Sequence, residues 1–131
     1  MKPSSILITG SAFMALAVAF GAFGAHIVQD MLTPERFDVY QTGVEYHFYH
    51  ALGLLIAGAI SMHFKNNTWI ARSAGLFIAG IPIFSGSLYI LSLTDTGWLG
   101  AITPIGGVAF ILGWIFFAVG VATSQVKSLD D

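Results

Sequence analysis

From Ser5 to Ile27 the chain reads SILITGSAFMALAVAFGAFGAHI, a run without a single Asp, Glu, Lys or Arg. A helix rising 1.5 Å per residue needs roughly 20 residues to cross about 30 Å of hydrocarbon, so this stretch has the length of a membrane span. It lacks the polar-apolar alternation of a barrel strand, and a backbone in lipid must satisfy its own hydrogen bonds, which leaves a helix. Lys2 ahead of the run and Ala17-Val18-Ala19 within it also resemble a signal peptide with a small-residue cleavage site. The apolar stretch is longer than the roughly 7–15 residues of a signal core, so it is read as the first span.

Working outward, three more apolar runs follow: Val44 to Met62, Trp69 to Leu93 and Trp98 to Ala122. Across all 131 residues 56% are hydrophobic and 9% charged, where soluble domains carry about 25% charged residues. With a mean hydropathy of +0.79, there is too little polar surface to coat a soluble globule. The expected fold is therefore all-α: an integral membrane four-helix bundle of antiparallel spans. It forms one domain over 1–131, with spans at about 5–27, 44–62, 69–93 and 98–122.

The connections fit this scheme. Thr33-Pro34-Glu35 reads as an N-cap, a proline at the first helical position and an acidic first turn. Phe37, Tyr40 and Val44 then recur at helical spacing opposite Glu35, Arg36 and Asp38. This predicts a short amphipathic interfacial helix at about 34–43, bending at Gly43 or running straight on into the second span. Lys65-Asn66-Asn67-Thr68 and Asp95-Thr96-Gly97 are short polar breaks, each followed by an interfacial tryptophan, Trp69 or Trp98. One side of the spans holds Lys2, Lys65, Arg72 and Lys127 and the other only Arg36, so the positive-inside rule puts both termini in the cytoplasm.

Lipid removes most of the hydrophobic drive between helices, so small residues must allow close approach. Ridges of that kind run through Ala17, Gly21 and Ala25, through Gly53 and Ala57, and through Ala109 and Gly113. Their first use is packing within the chain, and a left-over ridge would serve a homo-oligomer. Pro82 is expected to kink the third span beside Ser85-Gly86-Ser87. Pro104 is expected to start the regular helix of the fourth, after an irregular lead-in and before a loosening Gly106-Gly107 pair.

The polar residues gather in one leaflet: His26 at the end of the first span, Glu45, Tyr46, His47, Tyr49 and His50 at the start of the second, Ser85, Ser87 and Tyr89 in the third, Thr103 in the fourth. Tyr46, Tyr49, His50, Gly53 and Ala57 share a helical face expected to point into the bundle. Intramembrane carboxylates and imidazoles suggest a site, although a Tyr/His belt at the interface is also ordinary anchoring. The reading is a non-enzymatic protein that binds a membrane lipid, a quinone or a protein partner through His26, Glu45, Tyr49, His50, Ser85, Ser87 and Tyr89. One alternative is a metal or haem redox protein, with His26, Glu45, His47 and His50 as metal ligands or His26 and His50 about a haem. A small oligomeric channel or transporter is another, which the apolar inner halves of the spans disfavour.

Other classes are excluded. No cysteine is present, which removes disulfides, thiolate metal sites and iron–sulfur clusters. A net charge of -2 lacks the basic footprint of a nucleic-acid binder. There is no nucleophile elbow or phosphate-binding glycine loop, and no cofactor is named by any motif.

Four motifs in order carry a family resemblance: Gly21-Ala22-Phe23-Gly24-Ala25-His26, the stretch Tyr40-Gln41-Thr42-Gly43-Val44-Glu45-Tyr46-His47-Phe48-Tyr49-His50-Ala51-Leu52, then Phe84-Ser85-Gly86-Ser87-Leu88-Tyr89, and Thr103-Pro104-Ile105-Gly106-Gly107. Over nearly its whole length the chain resembles the domain-of-unknown-function family 423, small bacterial membrane proteins related to the vertebrate transmembrane protein 256. The resemblance implies a multi-pass inner-membrane protein and no particular reaction.

Overall fold

The computed structural model describes residues 1–64 and 67–124, and these form helices with no strand. Lys65, Asn66 and Lys127, used above for the second connection and the charge balance, lie outside the described residues. Helix α1 runs Pro3–Met31 and contains a π-helical segment at Gly24–Val28. Helix α2 is Pro34–Ser61. Helix α3 runs Thr68–Thr94 with a second π segment at Pro82–Gly86. A 3₁₀ turn at Gly97–Ala101 leads into α4, Thr103–Ala122.

Local chemistry sets most boundaries. Thr33 Oγ1 accepts the Arg36 backbone N–H at 3.4 Å, with Pro34 in the first turn of α2. Asn67 Oδ1 accepts the N–H groups of Trp69 and Ile70 at 3.0 and 3.2 Å, capping α3. Asp95 ends α3 in the left-handed region, φ 58°, a conformation that Asp tolerates better than most residues. Pro104 sits in the first turn of α4, after the irregular lead-in that the sequence predicts.

Two expectations are corrected. Of the two courses left open for the amphipathic stretch 34–43, the chain takes the run-on: the stretch is not a separate interfacial helix but the first third of an unbroken 28-residue helix. Gly43 does not bend that helix, because it is buried as a contact point: a Cβ there would lie 3.0 Å from Tyr89 Cε1. Gly106 and Gly107 likewise do not loosen α4, which runs through both. Gly106 lets the α3 backbone approach, since a Cβ there would come within 2.5 Å of Phe84 N.

Glycines opposite large side chains fix how the helices meet. Leu7 lies at Gly58, Leu54 and Leu55 at Gly10, Val44 and Phe48 at Gly21, and Tyr40 at Gly24, so residue numbers rise along α1 as they fall along α2. The same reversed order joins α3 to α4 through Ile70 at Gly120, Phe77 at Gly113 and Phe84 at Gly106. Between α2 and α3, Phe77 meets Gly53 and Tyr89 meets Gly43. These are knobs in glycine-lined holes, the geometry that dispersion favours where lipid gives no hydrophobic drive. The main core gathers Ile6, Leu54, Ala57, Ile70, Phe77 and Phe110.

Pro3–Met31, Thr68–Thr94 and Gly97–Ala122 are long and apolar enough to cross a membrane. Helix α2 is not among them, because Glu45, Tyr46, His47, Tyr49 and His50 lower the hydropathy of its most apolar stretch. Its place explains how it carries that polarity: it contacts α1 on one side and α3 on the other.

Candidate functional site

The face of α2 turned to the interior is in part the one expected: His50, Gly53 and Ala57 are buried, whereas Tyr46 and Tyr49 are not. Tyr40, Gly43, His47, His50, Leu54 and Ala57 are buried, a three-and-four spacing that makes one seam. Tyr49 is 56% exposed and Tyr46 sits on the rim. Because α1 and α3 flank α2, the seam rotates far enough to draw His47 in and turn Tyr49 out.

The seam builds a buried aromatic cluster. His47, 3% exposed, shares a hydrogen bond from Nδ1 to the Tyr89 hydroxyl at 3.2 Å. Phe13 meets its ring edge-on at 5.8 Å. Its Nε2 makes no hydrogen bond, although the Phe13 main chain lies near the ring. Phe20 stacks on Tyr89 at 4.5 Å, and Tyr40 donates its hydroxyl proton to the Phe20 carbonyl at 2.7 Å. That carbonyl lies just before the π segment of α1, where the helical hydrogen-bond ladder widens, and Gly24 leaves room for the Tyr40 ring: a Cβ there would fall 2.6 Å from Cε1.

His50 has different surroundings. Its Nδ1–H donates to the Tyr46 carbonyl at 2.7 Å, and its ring lies flat on Phe110 at 3.4 Å and 7°. In α3, Ser87 Oγ donates to the Phe84 carbonyl at 2.8 Å or shares a hydrogen bond with Thr103 Oγ1 at 2.7 Å. Ser87 thus satisfies backbone beside the proline and bridges to α4. Ser85 Oγ is buried without a partner.

The expected constellation therefore divides in two. His47, His50, Ser85, Ser87 and Tyr89 are interior, whereas His26, Glu45 and Tyr49 are exposed. Among the described residues no three His, Asp or Glu side chains converge as a metal-ligating group, because His47 and His50 point to opposite neighbours and His26 faces outward.

Glu45 and Tyr49 instead border a groove of about 360 Å³ between α1 and the first half of α2. Gly21, Gly24 and Ala25 line its α1 side, and Phe37, Val44 and Phe48 add apolar lining from α2. Gln41, Glu45 and Tyr49 supply its polar groups, each about one helical turn from the next. The groove exists because two glycines and an alanine stand where larger residues would fill the space.

Comparison with known proteins decides the family. Residues 20–107 match the model of a family described as "Protein of unknown function (DUF423)". A Bacillus subtilis protein named UPF0382 membrane protein YwdK is 46% identical over 86% of this chain and 92% of its own length. The chain belongs to the DUF423 family. The UPF0382 membrane protein SSP2132 of Staphylococcus saprophyticus is 44% identical over 87% of the chain and 93% of its own. The UPF0382 inner membrane protein YgdD of Escherichia coli is 37% identical over 86% of each. No solved structure matches. This DUF423 chain is accordingly a membrane protein, as its composition and its three apolar helices require.

The family match spans the groove and all of the aromatic cluster but Phe13. Sequence reasoning missed Gln41, Phe37 and Phe48 as groove residues. Gln41, Glu45 and Tyr49 do stand four residues apart, a polar stripe flanked by apolar residues, and that spacing was the available signal. What spacing alone lacks is the facing glycine pair on α1, which turns a stripe into a concavity.

Proposed function

We propose that this protein is a four-span bacterial inner-membrane protein, with antiparallel spans and both termini cytoplasmic, that holds a membrane amphiphile in the lateral groove between α1 and α2. It acts by binding rather than by catalysis. The observation that carries this reading is the groove itself: apolar walls with a row of polar groups, open at the side of the bundle. A cleft that is mostly apolar with a few convergent polar groups is the usual form of a small-molecule site.

The direction of the groove supports a lipid or a quinone. Below Tyr49 the same face of α2 continues through Leu52 and Ile56, which are 50% and 40% exposed. An aliphatic tail can follow that face while the polar end stays among Gln41, Glu45 and Tyr49. The four-span reading is supported by the pairing of α2 with α1 from Gly58 at Leu7 to Tyr40 at Gly24: a helix lying alongside a span over that length shares its depth.

The test is native mass spectrometry of the full chain released gently from bacterial membranes. One amphiphile per chain is expected for the wild type, and Ala25→Trp, which fills the groove from an exposed position, is expected to remove it. Equal retention by wild type and Ala25→Trp would sink the groove as the site.

A further inference from the structure

We infer that the groove selects a phospholipid whose headgroup carries a primary ammonium, and discriminates against anionic phospholipids. This rests on the groove binding a membrane amphiphile and adds the chemistry of its polar end. Among the described residues, Glu45 is the one charged side chain lining the groove, and no Lys or Arg lines it. Gln41 and Tyr49 are neutral, and the Tyr40 hydroxyl is committed to the Phe20 carbonyl at 2.7 Å. The surrounding ends of α1 and α2 add Asp30, Glu35 and Asp38. Against these stand exposed His26 and half-buried Arg36, and the Arg36 Nε–H is engaged by the Ser92 carbonyl at 2.8 Å, toward α3 rather than the groove.

A phosphate with net negative charge would meet a carboxylate there and no cation. A zwitterionic headgroup fits the row in order. With its tails along Leu52 and Ile56, its phosphate lies near the Tyr49 hydroxyl, which can donate. The ammonium, a few ångströms farther from the tails, then reaches Glu45 about 6 Å along the helix, with the Gln41 amide oxygen as a second acceptor. An exposed carboxylate–ammonium pair of this kind is screened and modest, so the selectivity is a preference rather than an absolute gate.

The experiment incorporates the full chain into vesicles of equal parts phosphatidylethanolamine and phosphatidylglycerol with identical chains, then counts the lipid retained per protein by native mass spectrometry. Wild type is expected to favour phosphatidylethanolamine by roughly three- to five-fold, as an exposed ion pair allows. Glu45→Gln, an exposed change that leaves the interior seam untouched, is expected to bring retention of the two lipids to parity. Preference for phosphatidylglycerol, or an undiminished phosphatidylethanolamine preference in Glu45→Gln, would overturn the headgroup assignment. Recovery of a quinone instead of a phospholipid on the full chain released from bacterial membranes would overturn it too, while leaving the groove as the site. Failure of the groove reading is distinguishable, because then Ala25→Trp retains as much of both lipids as wild type.

Discussion

Glycine is not equally needed wherever it occurs, and the contacts rank the positions. At Gly106 an added Cβ meets the Phe84 backbone, N at 2.5 Å and Cα at 2.8 Å, so relief requires moving α3 itself. At Gly75 nothing lies within 4 Å of the same added atom. Both positions are helical, so each Ala substitution gains up to about 1 kcal/mol of helix propensity, and only Gly106→Ala sets overpacking of about 1–3 kcal/mol against it. Thermal unfolding in detergent should place Gly75→Ala at or slightly above wild type and Gly106→Ala clearly below it. Equal midpoints would mean that α3 and α4 give way easily at their closest approach. The sequence signals differ little between these glycines, because the distinguishing fact is what stands opposite, in a helix some twenty residues away in the chain for Gly106.

Helices report their ends in the sequence more faithfully than their faces. Thr33-Pro34-Glu35 and Asn67-Thr68 carry caps whose hydrogen bonds are local, and the structure shows both. The choice between a bend and a run-on at Gly43, and the inward turn of His47, were not legible, since each depends on Tyr89 or Phe13 from another helix. Nor were the π segments at Gly24–Val28 and Pro82–Gly86, where the sequence offers a small-residue ridge in one case and a kink signal in the other. Asn67 shows how a local cap becomes a link between elements. Its Oδ1 caps α3, and its Nδ2 donates to the Gly120 carbonyl at 2.7 Å at the end of α4. Asn67→Asp keeps the acceptor and loses this donor, whereas Asn67→Ala loses both. Loss of an N-cap costs about 0.5–2 kcal/mol, so unfolding in detergent should rank wild type above Asn67→Asp and Asn67→Asp above Asn67→Ala. Indistinguishable Asp and Ala variants would show that the cap contributes nothing beyond the tie to α4.

For the molecule as a whole, the open question is whether α2 crosses the membrane, and hydropathy and contacts answer differently. By hydropathy three helices qualify and α2 does not; a chain with three spans has its termini on opposite sides. By contacts α2 runs along α1 from Leu7 to Gly24 and buries Tyr40, His47 and His50 in protein, so these three polar side chains do not have to face lipid. A polar residue is costly in a membrane only where it meets hydrocarbon without a partner. Window averages count Tyr40 and His47 against a span, but their hydrogen bonds to the Phe20 carbonyl and the Tyr89 hydroxyl offset that cost. The protein-facing environment therefore supports the proposed four-span reading against the low average. Reporter fusions decide between the two counts. On the proposed four-span reading, which puts Lys2 and Arg72 on the cytoplasmic side and Arg36 on the other, alkaline phosphatase placed in the connection after Met31 should be active. Green fluorescent protein at the C-terminus should fluoresce, as it does only in the cytoplasm. An active phosphatase after Met31 with a dark green fluorescent protein at the C-terminus would leave α2 at the surface, and the groove it shares with α1 would then lie at the water boundary, too shallow to take a lipid tail along Leu52 and Ile56.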